Sequence, residues 1–225
     1  MSSHAIPARP IRSFVRRQGR ITVAQNEALE KLWPLYGLDS EPEMIFGRQA
    51  PLIVEIGFGN GDNLAANAAE NPQNNYLGIE VHKPGIGHLM NILANREIDN
   101  VRIFQGDAID ILRDKIADGS IAGINLFFPD PWPKKRHHKR RLVSPYFAGL
   151  ISRKLEPGGC FHAATDWEDY AFQMTEILDA CAGLHNVTNH ESSRELIAQR
   201  SMTRFEKRGL SLGHRVQDII FKKHA

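Results

Sequence analysis

A chain of 225 residues with an apolar fraction of 42% is long enough to bury a substantial core. Its 28 lysines and arginines nearly balance 26 acids, for a net charge of +2, but the charge is unevenly placed. Residues 9–20, RPIRSFVRRQGR, carry five arginines and no acid, and residues 134–141, KKRHHKRR, carry six lysines and arginines. Such clusters argue for an anionic partner far better than the total does. Cys160 and Cys181 stand in no metal-ligand or redox spacing, so reduced, partly buried thiols and no metal site are expected. The first twenty residues lack the apolar stretch of a secretory signal, and no run reaches the length of a membrane span. A soluble, cytoplasmic protein is expected.

Residues 1–20 are expected to form a basic, unordered arm, and residues 21–225 one domain. Ala24, Leu29, Leu32 and Leu35 give residues 22–37 helical spacing, with Pro34 weakening the end. From Pro51 onward strands and helices alternate. LIVEIGF (52–58) reads as a buried strand running into glycines, and NLAANAAENP (63–72) as a helix stopped before Pro72. NYLGIE (75–80), NVRIFQGD (100–107), IAGINLFF (121–128) and GCFHAATD (159–166) are the next four strands. The helices between and after them start at Lys83, Ala108, Ser144 and Trp167, and the one from Ser144 is expected to end at Gly158 and Gly159. This alternation predicts an α/β, Rossmann-like fold: a mostly parallel, doubly wound sheet covered on both faces. RVQDIIFKKHA (215–225) reads as a final strand, pairing antiparallel at the sheet edge with LHNVTNH (184–190).

EIGFGNGD places Gly57, Gly59 and Gly61 directly after the first strand, where such folds bind ligands and glycine lets backbone come close. The dinucleotide fingerprint wants a glycine three residues beyond Gly59, and that position is Asp62, which counts against a nicotinamide oxidoreductase. Acids then mark four successive strands: Glu55 within the first, Glu80 closing the second, Asp107 after the third and Asp130 after the fourth. Glu55 is unexpected inside a strand, since a buried carboxylate is costly without a partner. Glu80, nineteen positions after Gly61, suits an acid that accepts from ribose hydroxyls. Asp107 either accepts from an adenine amino group or only caps the helix after it.

This constellation resembles the class I S-adenosylmethionine-dependent methyltransferases. Their cofactor is cationic at its sulfonium and ammonium groups, and an acidic pocket suits it. PDPWPK (129–134) is a variant of the D/N-P-P-aromatic element of amino-directed members. Together with EIGFGNG before it and SMTRFEKRG (201–209) after it, the chain is similar to the bacterial tRNA (guanine-N7)-methyltransferases, from about Phe14 to Lys222. Those enzymes methylate the variable-loop guanine at tRNA position 46. The resemblance implies S-adenosyl-L-methionine as cofactor, contacted by Glu55, Gly57, Gly59, Glu80, Asp107 and Asp130, with Asp130 also the active-site residue. It implies substrate contacts from Lys134, Asp166, Thr203, Arg204, Phe205 and Glu206. It further implies RNA contacts from Arg136, His137, His138, Lys139, Arg140 and Arg141.

The chemistry points the same way. Guanine N7 carries a lone pair and no proton, so its methylation needs an in-line approach rather than a base. Asp130 is therefore expected to orient groups and stabilise developing charge. N7 lies on the major-groove edge, which A-form RNA closes to side chains, so a loop or tertiary-core guanine must be reached. The basic clusters would hold the phosphates of tRNA meanwhile. His137 and His138 lack partners at ligand spacing and read as loop residues. Trp132 either stacks on the base or packs against its turn. Asp166 either caps the helix from Trp167 or meets substrate. No obligate protein partner is implied, and a monomer or weak homodimer is expected. The alternatives are a methyltransferase acting on another RNA, a small molecule or a protein, and a non-enzymatic RNA-binding module. A methyltransferase of small molecules or proteins predicts no basic clusters beside the site, and a non-enzymatic module has no use for an acidic crevice.

Overall fold

A computed structural model describes residues 13–14, 19–39, 46–199 and 215–224. Most of the N-terminal arm, and all of Thr203, Arg204, Phe205 and Glu206, lie outside the described residues.

Thr22 starts the first helix, α1 (Val23–Lys31), with a reciprocal cap. Its hydroxyl accepts from the Gln25 N–H, and the Gln25 side chain accepts from the Thr22 N–H. The helix breaks at Leu32, and Trp33–Tyr36 forms a separate turn, α2. Pro34 lies in the first turn of α2, where its missing N–H costs nothing.

Five parallel strands come next: β1 (Leu52–Ile56), β2 (Asn75–Glu80), β3 (Val101–Gln105), β4 (Ile121–Phe127) and β5 (Leu155–Thr165). They alternate with α3 (Asp62–Glu70), α4 (Lys83–Asn95), α5 (Ala108–Lys115), α6 (Pro145–Lys154) and α7 (Glu168–Asp179). Then come β6 (Leu184–Asn186), α8 (Glu191–Gln199) and β7 (Gln217–Lys223). The sheet order is β3-β2-β1-β4-β5-β7-β6.

The period of two in each strand sorts side chains onto two faces. Val54, Ile56, Ile124, Leu126 and Phe161 join Leu112, Phe147, Ile151 and Met174 in one core. Tyr76 and Ile103 face the other way, against Leu64, Ile86, Leu89 and Ala28. Among the described residues no helix is long and apolar enough to cross a membrane.

Two expectations shift. The expected antiparallel pairing of the C-terminal strand with residues 184–190 forms at the sheet edge, but only Leu184–Asn186 takes part, as the outermost strand β6, and β7 lies between it and β5. Helix α6 stops at Lys154 rather than at Gly158, because Leu155 already pairs with Ile121. Pro157, Gly158 and Gly159 form an excursion in β5, with Gly158 at a φ of 78°. Helix α8 carried no recognised signal.

The chain reverses direction across the sheet between β1 and β4, so their carboxyl ends part and leave a crevice. Helix α4 packs its first turn against the loop after β1, and a Cβ on Gly85 would lie 2.0 Å from the Gly59 carbonyl oxygen. Gly85→Ala is therefore expected to push α4 off that loop and cost about 1–3 kcal/mol, the usual range for overpacking. A thermal melt checks it; an unchanged midpoint would contradict this packing.

Candidate active site

The carboxyl ends of β1, β2, β3 and β4 surround a cavity of about 1160 Å³. Its floor begins at the glycine turn. Gly57, Gly59 and Gly61 have φ of 69°, 60° and 80°, the left-handed region that glycine enters without penalty. A Cβ on Gly57 or Gly59 would meet no protein atom within 4 Å, and both residues line the cavity. The backbone there is open to a ligand.

Glu80 fixes the turn's position. Its Oε2 accepts from the Gly59 N–H at 2.9 Å, and its Oε1 accepts from Val81 and His82 at 2.6 and 3.0 Å. A carboxylate has about four acceptor sites, so one remains for a ligand hydroxyl. Glu80 also lines the cavity.

The other three acids part company. Asp130 is exposed at the cavity wall and makes no hydrogen bond to a described residue. Glu55 is buried inside β1, one position before the strand's last residue, and its Oε2 accepts from the Asn63 amide of α3 at 2.8 Å. Burial pushes its pKa up to about 7, only partly offset by that hydrogen bond. Asp107 caps α5, accepting from the Ile109 N–H at 3.0 Å, while its neighbours Gly106 and Ala108 line the cavity. The expectation of four acids around one crevice thus resolves into two in the wall and two behind it.

Asp130 stands on a strained turn. Phe128 and Trp132 on either side of it have φ of 51° and 46°, uncommon for bulky side chains. The Phe128 N–H donates to Ala164 O at 2.7 Å. Trp132 packs rather than lying free: its Nε1 donates to Ser13 O at 3.1 Å, the Arg140 guanidinium lies 5.0 Å over its ring, and His137 meets it edge-on.

Lys135–Arg140 winds into a 3-10 segment beside the turn. Lys134 and His137 line the cavity; Arg136 and Lys139 are exposed. Desolvation, and then Arg136, Arg140, Lys134 and Lys139, push the His137 pKa below its ordinary value. Arg141, which the resemblance places among the RNA contacts, has a side chain only 1% exposed and a guanidinium bonded within the protein. His138 lies 3.2 Å from that guanidinium and is turned toward it. Asp166, half-buried after β5, is not the cap of α7; that position is Trp167. Cys160 is partly buried and its thiol is pushed up to about 11 by desolvation, as an inert residue should be.

The cavity wall also includes Ser13, Phe14, Asn26, His82 and Leu142, none of which the sequence singled out. Ser13 and Phe14 lie within the basic stretch of residues 9–20, while Asn26, His82 and Leu142 sit in no motif.

A glycine turn and acid-lined cavity at the β1–β4 reversal, with an antiparallel strand inserted beside β5, define the class I methyltransferase fold. A 16S rRNA methyltransferase, KamB, superposes with a TM-score of 0.55 at 15% identity over 93% of this chain and 97% of that one. An antibiotic-related methyltransferase does so at 0.54 and 15%, over 94% and 99%. Residues 49–219 match the family described as a putative methyltransferase. The tRNA (guanine-N(7)-)-methyltransferase of Methylococcus capsulatus is 54% identical over 98% of this chain and 97% of its own. That of Alkalilimnicola ehrlichii is 51% identical over 96% and 93%. The chain belongs to the tRNA (guanine-N7)-methyltransferase family.

The buried Glu55 yields a pH prediction. The unfolded chain ionises it near 4.5, the folded one near 7, so between those values the folded state holds the extra proton. Its contribution to stability then falls as pH rises through that window and is flat above it. Glu55→Gln should gain stability relative to the parent as pH climbs from about 4.5 to about 7. Melts across that range test this; parallel curves for the two proteins would refute the buried-acid assignment.

Proposed function

We propose that this protein transfers a methyl group from S-adenosyl-L-methionine to N7 of the variable-loop guanine at position 46 of tRNA. The observation that carries it is Asp130: an exposed carboxylate on a strained turn at the wall of an acid-lined cavity, beside a segment dense in cations.

The cavity fits the cofactor. Gly57 and Gly59 offer backbone free of side chains, Glu80 keeps an acceptor site for a ribose hydroxyl, and Asp130 adds negative charge. S-adenosylmethionine supplies an electrophilic methyl on a positively charged sulfur. Glu55 and Asp107 act on this site by holding β1, α3 and α5 in place rather than by touching the cofactor.

Guanine N7 would use its own lone pair, the new carbon–nitrogen bond replacing the carbon–sulfur bond of the donor, so the chain need not remove a proton. What the protein contributes is alignment and charge. Asp130 faces the purine as it becomes positive. Lys134 and His137 line the cavity, and Arg136, Lys139 and Arg140 hold phosphates of the folded tRNA. Asp166 and Thr203–Glu206 complete the substrate side, as the family resemblance suggests. The substrate is that of a cytoplasmic enzyme.

Incubation with labelled cofactor and a tRNA transcript, followed by nucleoside analysis, is expected to give 7-methylguanosine, and a transcript with adenine at position 46 to give none. Methyl elsewhere on the RNA would overturn the assignment. Asp130→Asn should lower kcat by about 10²-fold, comparable to loss of one transition-state electrostatic contact. Full turnover by that variant would remove Asp130 from its role. Arg136→Gln combined with Lys139→Gln should raise the tRNA KM and flatten its logarithmic salt dependence by about one to two. A loss of cofactor affinity instead would place those cations elsewhere.

A further inference from the structure

We propose that Arg141 is a positioning residue that clamps the Asp130 turn to helix α7, and is not one of the phosphate-gripping cations it succeeds in sequence. This rests on the role given above to Asp130.

Arg141 closes the basic run, yet it belongs to the interior. Its side chain is 1% exposed, and Leu142 and Val143 after it are buried. Nε donates to the carbonyl oxygen of Pro131, the residue after Asp130, at 2.9 Å. The two terminal nitrogens donate to Gln173 Oε1 and Asp169 Oδ2, both on α7. The guanidinium carbon lies 4.8 Å over the ring of Tyr170, also on α7. Tyr170 adds a second strap, its hydroxyl accepting from the Val143 N–H at 3.2 Å. Helix α7 is itself fixed, with Tyr170, Ala171, Met174 and Leu178 buried.

A turn with two non-glycine residues at positive φ relaxes unless its surroundings hold it. The Pro131 carbonyl lies between the two, and the bond from Arg141 anchors it to the core. No phosphate can reach this guanidinium without displacing α7. The fork geometry is essential: an arginine spans the carbonyl and two acceptors at fixed angles, whereas a lysine is a point charge on a flexible stem. A phosphate contact tolerates lysine; a three-way clamp does not.

The test measures steady-state methyl transfer to a tRNA transcript at several salt concentrations, with S-adenosylhomocysteine binding and thermal melts for each protein. Arg141→Lys, and separately Asp169→Ala with Gln173→Ala, are expected to lower kcat by on the order of tenfold to a hundredfold, since small misplacements of reacting groups cost that much. Their tRNA KM and salt slope should stay at parent values. Combining the two changes should give no further multiplicative loss, because both cut the same link. Arg140→Gln is the contrast, raising KM and flattening the salt slope. If Arg141→Lys keeps kcat and shifts KM and slope as Arg140→Gln does, Arg141 is a phosphate contact and the clamp is refuted. If Arg141→Lys fails to fold, the α7 variant decides: full kcat there refutes the clamp. A parent protein that makes no 7-methylguanosine overturns the assigned reaction itself; one that makes it, with both variants at full kcat, overturns only the clamp.

Discussion

The carboxylate of Glu80 joins three backbone N–H groups that would otherwise point into the mouth of the cavity. One belongs to the turn after β1 and two to the start of the connection after β2. Two strand ends are thereby set at a fixed spacing, and the glycine turn is held open despite its left-handed conformation. Charge-assisted bonds of this kind are about twice as strong as neutral ones, and here they are partly shielded from water. Removing the carboxylate would free the turn and leave three partly buried donors without this acceptor. The cavity's shape, the packing of α4 on Gly59 and the access to ligand all depend on this one tie.

The negative lining is narrower than a count of acids implies. Burial pushes the Glu55 pKa up to about 7, which weakens its charge, and its Oε2 is taken up by the Asn63 amide. Asp107 is turned toward the N-terminus of α5, whose dipole it satisfies. Glu80 and Asp130 are left as the acids that a cationic ligand would meet. A strand end tells where a residue's backbone lies; the alternation of faces and the demands of helix caps decide where its carboxylate goes.

That distinction separates what was legible in the sequence from what was not. The first four parallel strands and the helices between them form where apolar runs bounded by glycine and proline predict them. The antiparallel pairing of β7 with residues 184–190 is legible, but the extent of β6 is not, because three residues give almost no periodic signal. The end of α6 was misjudged for a similar reason: Leu155 fits a helix and a strand equally well, and pairing with Ile121 decides. At the site, Gly57, Gly59, Glu80 and Asp130 could be placed from spacing. Ser13, Asn26 and His82 could not, since only the tertiary fold brings them to the cavity.

The basic run shows the same limit most sharply, because its residues differ in burial and not in type. Arg136 and Lys139 face solvent, where salt screens a charge within about 8–10 Å. Arg141 is enclosed, bonded to Pro131, Gln173 and Asp169, and screening hardly reaches it. The one signal in the sequence lies immediately C-terminal to it. Leu142 and Val143, then Ser144 capping α6 through the Phe147 N–H, show that the chain is already re-entering the core. A guanidinium at such a re-entry point must find acceptors or bear a heavy desolvation cost, and the nearest carbonyl belongs to the turn that carries Asp130. The demand to satisfy a buried cation and the demand to hold a strained turn are met by a single set of bonds. Ionic strength should therefore act on this enzyme through its grip on RNA and leave the geometry around Asp130 alone.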